Sequence, residues 1–166
     1  MLFFSCKSPQ QLTVDYPVNK TQLTYLHTYT IPHNFSFMET TVGGLSSIDY
    51  DQKRKRYFLV CDDRSSINPA RFYTAKISIK QNKIDTVLFT NFAYLKDELG
   101  KTYPSTKENP YKTPDPESMR YNPNSNLLVW SSEGENTIRG KDSILINPSV
   151  YFVNSTGKFK DSLAIP

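Results

Sequence analysis

Cysteine, histidine and glycine are scarce in this chain of 166 residues, which has two, two and six of them respectively. Two cysteines in different contexts are too few for a disulfide framework, and no cysteine–histidine cluster of the kind that binds zinc is present. The glycines form no phosphate-cradling loop, and no recognition helix for nucleic acid is visible. No apolar run approaches the roughly 18 residues needed to cross a membrane as a helix. The sequence therefore argues against zinc, nucleotide and nucleic-acid binding.

Aromatic residues, in contrast, are abundant, with 11 tyrosines and 10 phenylalanines. Large rings on half-buried sheets bury much area with few residues, and no helical apolar period lasts for more than one turn. This composition favours an all-β protein of one domain. The net charge of +4 is mild; it permits an anionic ligand, although solubility alone is a sufficient explanation for it.

Two segments of the chain share one pattern: a strand, a tight turn, and a hydrophobic strand that runs into a carboxylate. The first occupies residues 45–64 and the second residues 116–134. Self-similarity at a long period is typical of a repeat architecture, and strands in the repeating unit indicate a β-propeller. We therefore expect an all-β fold built of antiparallel blades.

Alternating patterns and turn signals predict further strands outside these two segments. The clearest is a hairpin of residues 72–80 and 84–90 around the turn at 81–83. The other predicted strands are residues 27–31, residues 34–38 and a final hairpin over residues 149–165. Residues 94–115 are rich in proline, lysine and aspartate and predict a long loop, and loops of that length are usually functional or disordered.

The N-terminus predicts a location outside the cytoplasm. Residues 1–22 are interpreted as a lead-in to a domain over residues 23–166, and the apolar start before Cys6 resembles the end of a bacterial lipoprotein signal. Cys6 would then carry a lipid that anchors the chain to a membrane. The missing positive charge and the short apolar stretch leave two alternatives open, a misassigned gene start and a chance likeness. Cys61 lies in a predicted buried strand and is expected to be a core residue.

Several motifs that follow one another in residues 40–166 resemble a known family. They are Gly43-Gly44-Leu45-Ser46 with Ile48-Asp49-Tyr50-Asp51, Asp62-Asp63-Arg64, Asn68-Pro69-Ala70-Arg71, Tyr103-Pro104, Asp115-Pro116-Glu117-Ser118-Met119, Trp130-Ser131-Ser132-Glu133-Gly134, Asn147-Pro148-Ser149-Val150 and Gly157-Lys158-Phe159. In these motifs the chain is similar to the phytase-like family of secreted bacterial proteins, which is associated with an esterase-like activity. Ser118 stands where that family often has glycine.

The resemblance implies a longer propeller, of which this chain corresponds to the N-terminal half. We therefore expect a partial β-propeller with an incomplete ring, truncated at its C-terminal side. Blades pack side by side in a closed ring, so an open ring exposes an apolar blade face and unpaired strand edges. Self-association through that open face is expected.

Carboxylates lie at the strand ends of both repeated segments, where a propeller brings its connecting loops to one face. Asp62, Asp63 and Glu133 follow hydrophobic strands, while Asp115 and Glu117 open the second segment. Ca²⁺ takes oxygen ligands of this kind, and a planar guanidinium suits phosphate or carboxylate. The predicted site has Asp62, Asp63, Asp115 and Glu117 as metal ligands, Asp63, Glu117 and Glu133 as catalytic groups, and Arg64 and Arg71 as binding groups for a small anionic ester. A polarised ester would be attacked by water with a carboxylate as general base.

A purely structural explanation of these residues stays open. An aspartate after a strand often caps a turn, and Asp63 with Arg71, or Glu117 with Arg64, would form ion pairs that fix a blade. A serine esterase is not indicated, because no Gly-x-Ser-x-Gly elbow is present. Two functions therefore remain: a phytase-like hydrolase of phosphate or carboxylate esters, and a non-catalytic extracytoplasmic propeller that binds a ligand or a protein partner.

Overall fold

The computed structural model describes residues 22–139 and 142–163, which form strands and no helix. The strands are β1 (Ser36–Phe37), β2 (Thr40–Thr41), β3 (Leu45–Asp51), β4 (Arg56–Cys61), β5 (Arg71–Lys80), β6 (Lys83–Tyr94), β7 (Pro116–Asn122), β8 (Leu127–Ser132), β9 (Glu135–Arg139), β10 (Asp142–Ile146), β11 (Ser149–Val153) and β12 (Phe159–Leu163). Cys6 and the predicted lead-in, apart from Gln22, lie outside the described residues. Within the described ranges, no helix is long and apolar enough to span a membrane.

Two four-stranded antiparallel sheets dominate the fold and confirm the prediction of an all-β protein with antiparallel blades. The first blade has the strand order β3-β4-β5-β6, and the second has the order β7-β8-β11-β12. Neither sheet closes into a barrel. Two small hairpins, β1–β2 and β9–β10, accompany the blades, and the second of them is inserted between β8 and β11.

The two similar segments of the sequence form the first two strands of each blade. In both blades the first strand has an irregular register at its start, between Leu45 and Ser47 in β3 and between Pro116 and Ser118 in β7. Such a β-bulge leaves one residue unpaired and re-aims its side chain. Ser46 in the first blade and Glu117 in the second blade occupy this position.

An apolar core lies between the blades because alternate residues of neighbouring strands point to the same side. Phe58, Val60, Ala70 and Phe72 of the first blade and its entry loop share one buried cluster with Leu95, Met119, Leu128, Trp130 and Val153. Hydrogen bonds join the facing strands β3 and β7: the Ser47 hydroxyl donates to the Met119 carbonyl oxygen at 3.0 Å, and the Tyr121 N–H donates to Asp49 Oδ2 at 2.7 Å. The blades are therefore joined by both apolar packing and polar contacts.

The other face of the first blade is covered by the segment that precedes it. Val42 packs there with Leu59, Cys61 and Tyr73 in a second buried cluster, against which Phe37 of β1 also packs. Cys61 is 1% exposed and is a core residue, as predicted. This segment, which includes the β1–β2 hairpin, thus seals the side of the first blade that faces away from the second.

Several boundaries differ from the sequence-based predictions. The strand predicted over residues 27–31 is wrong, because those residues have no regular structure, and the one predicted over residues 34–38 shrinks to β1. Positive φ angles at Asn34 and Met38 turn the chain on both sides of β1. The β9–β10 hairpin was not predicted. The hairpin of β5 and β6 is present, and its turn residues Gln81 and Asn82 have the positive φ angles of a type I′ turn.

Truncation of Phe58 to alanine is expected to destabilise the protein by about 3–5 kcal/mol, because it leaves a cavity between the blades. The Phe58 ring is 1% exposed and lies 5.5 Å from the ring of Tyr121 in the second blade. Urea denaturation measures the change. Ile79→Ala, at a side chain that is 61% exposed, is the control and should cost far less. Equal losses in the two variants would contradict the placement of the core.

Candidate functional site

Three carboxylates meet at one end of the second blade. Asp115 directly precedes β7, Glu117 is the bulged residue of β7, and Glu133 directly follows β8. The antiparallel pairing brings these positions to the same end, where the Glu133 N–H donates to the Asp115 carbonyl oxygen at 3.3 Å. One carboxylate oxygen from each of the three lies within 4.8 Å of the others. We call Asp115, Glu117 and Glu133 the acid cluster.

The acid cluster is electrostatically strained. Burial raises the pKa of Asp115, and although Arg64 opposes this, Glu133 and Asp62 add to the increase, so that the pKa lies above its ordinary value. Burial also raises the pKa of Glu117, and the negative charges of Asp115, Glu133 and Asp62 raise it further. Like charges at this distance disfavour the ionised forms. A bound cation would remove this repulsion.

Asp62 comes from the first blade and extends the negative field of the acid cluster. It follows β4 as Glu133 follows β8, and its N–H donates to the Gly44 carbonyl oxygen at 2.8 Å. Gly44 has a φ of +53°, and a Cβ at this position would overlap the Asp62 carboxylate. Only glycine tolerates both the positive φ and this close approach, so Gly44 allows the Asp62 side chain to lie close over the backbone.

Arg64 lies beside the acid cluster and connects it to the inserted hairpin. Its Nη2 lies 2.5 Å from Glu135 Oε2 in β9, and its Nε lies 3.6 Å from Asp115 Oδ2. The second distance is that of an ion pair and too long for a hydrogen bond. The Arg64–Glu117 pair considered from the sequence is not among the ion pairs of the described residues. Glu135 was missed in the sequence because no pattern predicted the hairpin that carries it.

Asp63 and Arg71 form a separate buried pair next to the turn at residues 65–70. Arg71 is 1% exposed, and its Nη1 donates to Asp63 Oδ2 at 2.8 Å. Asp63 also accepts backbone N–H groups from Ser66, Ile67 and Asn68. Burial alone would raise the pKa of Asp63, but the Asn68 N–H, the Arg71 guanidinium and the other N–H donors together hold it below its ordinary value. The purely structural explanation of the site residues expected this ion pair between Asp63 and Arg71.

The remaining donors of the Arg71 guanidinium are also occupied by the fold. Nε donates to the Tyr73 hydroxyl at 2.7 Å, and Nη2 donates to the Thr41 carbonyl oxygen at 2.6 Å. Arg71 thereby ties the β1–β2 hairpin to the first blade. The roles predicted for Asp63 and Arg71 in catalysis, metal binding and substrate binding stay predictions, and the geometry gives both residues a structural task.

The structure thus divides the predicted site residues into two groups. Asp115, Glu117 and Glu133 come together, with Asp62 and Arg64 beside them, whereas Asp63 and Arg71 are bound to each other. A group of carboxylate oxygens at this spacing is suited to a hard divalent cation, and the adjacent guanidinium is suited to an anionic oxygen.

Comparison with known proteins identifies a family. A family model for phytase-like proteins, described as the esterase-like activity of phytase, matches residues 40–166. Searches of curated proteins and of solved structures found no significant match.

Asp62 and Asp63 provide a matched pair of substitutions that separates the two groups. Asp63→Asn is expected to lower the free energy of unfolding by about 3 kcal/mol, because it leaves the buried Arg71 guanidinium without its counter-charge. Asp62→Asn should not destabilise the protein, since it removes one charge from a repelling set. Chemical denaturation of both variants measures the difference. A stable Asp63→Asn variant would show that the buried pair does not maintain the fold.

Glu117→Gln is expected to raise the melting temperature at neutral pH. The folded pKa of Glu117 is above its ordinary value of 4.5, so its ionised form destabilises the folded state at any pH above the folded pKa. This penalty disappears once the pH falls below the unfolded value. Melting curves of variant and parent should therefore converge as the pH decreases through 4.5. A stability difference that does not change with pH would contradict the argument.

Proposed function

Because the chain belongs to the phytase-like family, we propose that it hydrolyses phosphate or carboxylate esters at the acid cluster, with a divalent cation such as Ca²⁺ bound there. The observation that carries the proposal is the convergence of three carboxylate oxygens within 4.8 Å beside a guanidinium. Negative charge that the fold concentrates and does not fully neutralise is a frequent property of functional sites.

The residues present fit a calcium ion. Asp115, Glu117 and Glu133 offer hard oxygen ligands, and calcium accepts six to eight of these in flexible geometry, with waters and backbone carbonyls completing the shell. When bound, the ion would polarise the ester oxygen. We further propose that the protein works outside the cytoplasm, where calcium sites in extracellular modules have Kd values of about 10⁻⁴–10⁻³ M.

The side chains around the acid cluster have separate tasks in this proposal. Arg64 binds and orients the anionic or carbonyl oxygen of the ester, because it lies beside Asp115 and its guanidinium is planar. Glu117 is the best candidate for the general base, since the β-bulge of β7 places its exposed carboxylate outside the regular pairing and beside Asp115 and Glu133. Asp115 is held in place by Arg64 and by its position before β7.

The reaction then proceeds by hydrolysis of one bond. Water attacks the carbonyl carbon or the phosphorus atom while Glu117 accepts a proton from it. The bond to the alcohol oxygen breaks, and this oxygen takes the proton back from Glu117 as the alcohol leaves. The products are an acid and an alcohol, with no other reactant required. Glu133 and Asp62 maintain the negative field that favours the cation.

Hydrolysis of p-nitrophenyl butyrate and of p-nitrophenyl phosphate, each in calcium and in chelator, tests this function. We expect calcium-dependent release of p-nitrophenol from one of the two esters, and we expect Glu117→Gln to reduce kcat by about 100-fold through loss of the base. Glu39→Gln, which makes the same chemical change at an exposed turn, is the control and should keep full activity.

Calcium binding is measured separately by calorimetry on the same variants. If calcium binds but neither ester is hydrolysed, the hydrolase proposal is wrong and a non-catalytic binding domain is favoured. If no calcium binds, the acid cluster is not a calcium site. Activity that is equal in Glu117→Gln and in the parent would place the chemistry elsewhere in the protein.

A further inference from the structure

A cavity of about 330 Å³ lies on the side of the second blade between the long loop and strands β11 and β12. Four aromatic rings line it: those of Tyr103, Tyr111, Tyr151 and Phe159. None of these residues belongs to the acid cluster or to the buried Asp63–Arg71 pair. We call this cavity the aromatic pocket.

Three of the four rings of the aromatic pocket pack against another aromatic ring, whereas Tyr111 is exposed. The rings of Tyr151 and Phe159 are 6.4 Å apart at an interplanar angle of 63°. Trp130, which is 1% exposed, packs against Tyr151 at 4.7 Å and against Tyr103 at 5.8 Å. Two of the four rings are thus fixed by the interblade core, so this part of the aromatic pocket is rigid before any ligand arrives.

Two carboxylates line the same cavity, those of Asp97 and Glu98. Asp97 is held by its turn, because its Oδ1 accepts the backbone N–H groups of Leu99 and Lys101 at 3.0 and 2.8 Å. Glu98 is exposed. Burial raises the pKa of the Tyr103 hydroxyl, Tyr151 adds to the increase, and the charges of Asp97 and Glu98 raise it further.

The aromatic pocket has one opposing charge. Lys112 is the only cation among the described residues that line the cavity, and it is exposed. Its long side chain can therefore move between the cavity and the solvent. Aromatic faces attract cations through their quadrupole, and carboxylates at the rim add to this attraction.

We propose that the aromatic pocket binds a small organic cation, such as a quaternary ammonium or a protonated amine group. The ring faces would contact the apolar substituents of the cation, and Asp97 and Glu98 would balance its charge. This proposal does not depend on the proposed hydrolase function. The two proposed sites are nevertheless neighbours along the chain. Pro114 and Ser132 line the aromatic pocket, and Asp115 and Glu133 of the acid cluster follow them directly.

Trp130 provides the readout, because it is the only tryptophan in the chain and touches two rings of the aromatic pocket. The probe is choline, and the matched control is 3,3-dimethylbutan-1-ol, which has the same shape without the charge. Choline chloride is compared with sodium chloride at equal ionic strength. We expect a saturable change in tryptophan fluorescence with choline, and binding of the neutral alcohol that is weaker by about tenfold or more.

Two charge substitutions with opposite expected effects test the electrostatic contribution to choline binding. Glu98→Gln should weaken choline binding by about two- to fivefold, and Lys112→Gln should strengthen it by a similar factor. Phe159→Leu should weaken binding by removing a ring face. Glu39→Gln is the control for the loss of an exposed negative charge and should leave binding unchanged. Circular dichroism confirms that each variant is folded.

Isothermal titration calorimetry on the parent protein detects binding that leaves the fluorescence unchanged. The proposal is overturned if calorimetry and fluorescence both show no saturable choline binding. It is also overturned if the neutral alcohol binds as tightly as choline, because the cavity is then merely apolar. Weaker binding in Lys112→Gln, or unchanged binding in Glu98→Gln together with Phe159→Leu, would place the choline elsewhere on the protein.

Discussion

The packing of the two blades against each other is the constraint on which the rest of the structure depends. Phe58 and Val60 of the first blade meet Met119 and Trp130 of the second, and the Ser47–Met119 hydrogen bond fixes the register between β3 and β7. This register determines which strand ends lie next to each other. Asp62 of the first blade therefore adds to the rise in the pKa of Glu117, which burial causes first and Asp115 and Glu133 increase.

Around this interface the fold separates charges that hold the structure from charges that remain available for a ligand. Arg71 is buried and pairs with the partly buried Asp63, and Asp51 is fully buried with Arg54 and Arg56 around it. The acid cluster, in contrast, has several carboxylates and one neighbouring guanidinium, which Glu135 shares. The β-bulge in β7 contributes to this difference, because it places Glu117 outside the regular pairing of the strand.

The fold class, the two blades and most strand positions were predictable from the sequence, since β4 and β8 are apolar runs next to clear turns and β5 alternates apolar with polar residues. The convergence of Asp115, Glu117 and Glu133 was also predictable, because strand ends in similar units meet at one end of a sheet. The different environments of Asp62 and Asp63 were not predictable. Two adjacent aspartates are equivalent in the sequence, and only the folded turn at residues 65–70 surrounds one of them. The β9–β10 hairpin and its Glu135 left no signal, because its strands are short and mix polar with aliphatic residues.

The interblade hydrogen bonds also affect how the protein reaches its fold. The Ser47–Met119 contact joins residues that are 72 positions apart, and contacts between distant residues slow folding, since a long loop must close before they form. During synthesis the first blade emerges before the second, and the sides of Phe58 and Phe72 that Met119 and Trp130 later cover are then exposed. The chain is therefore more prone to aggregate before its second blade has been translated than after the two blades have packed together.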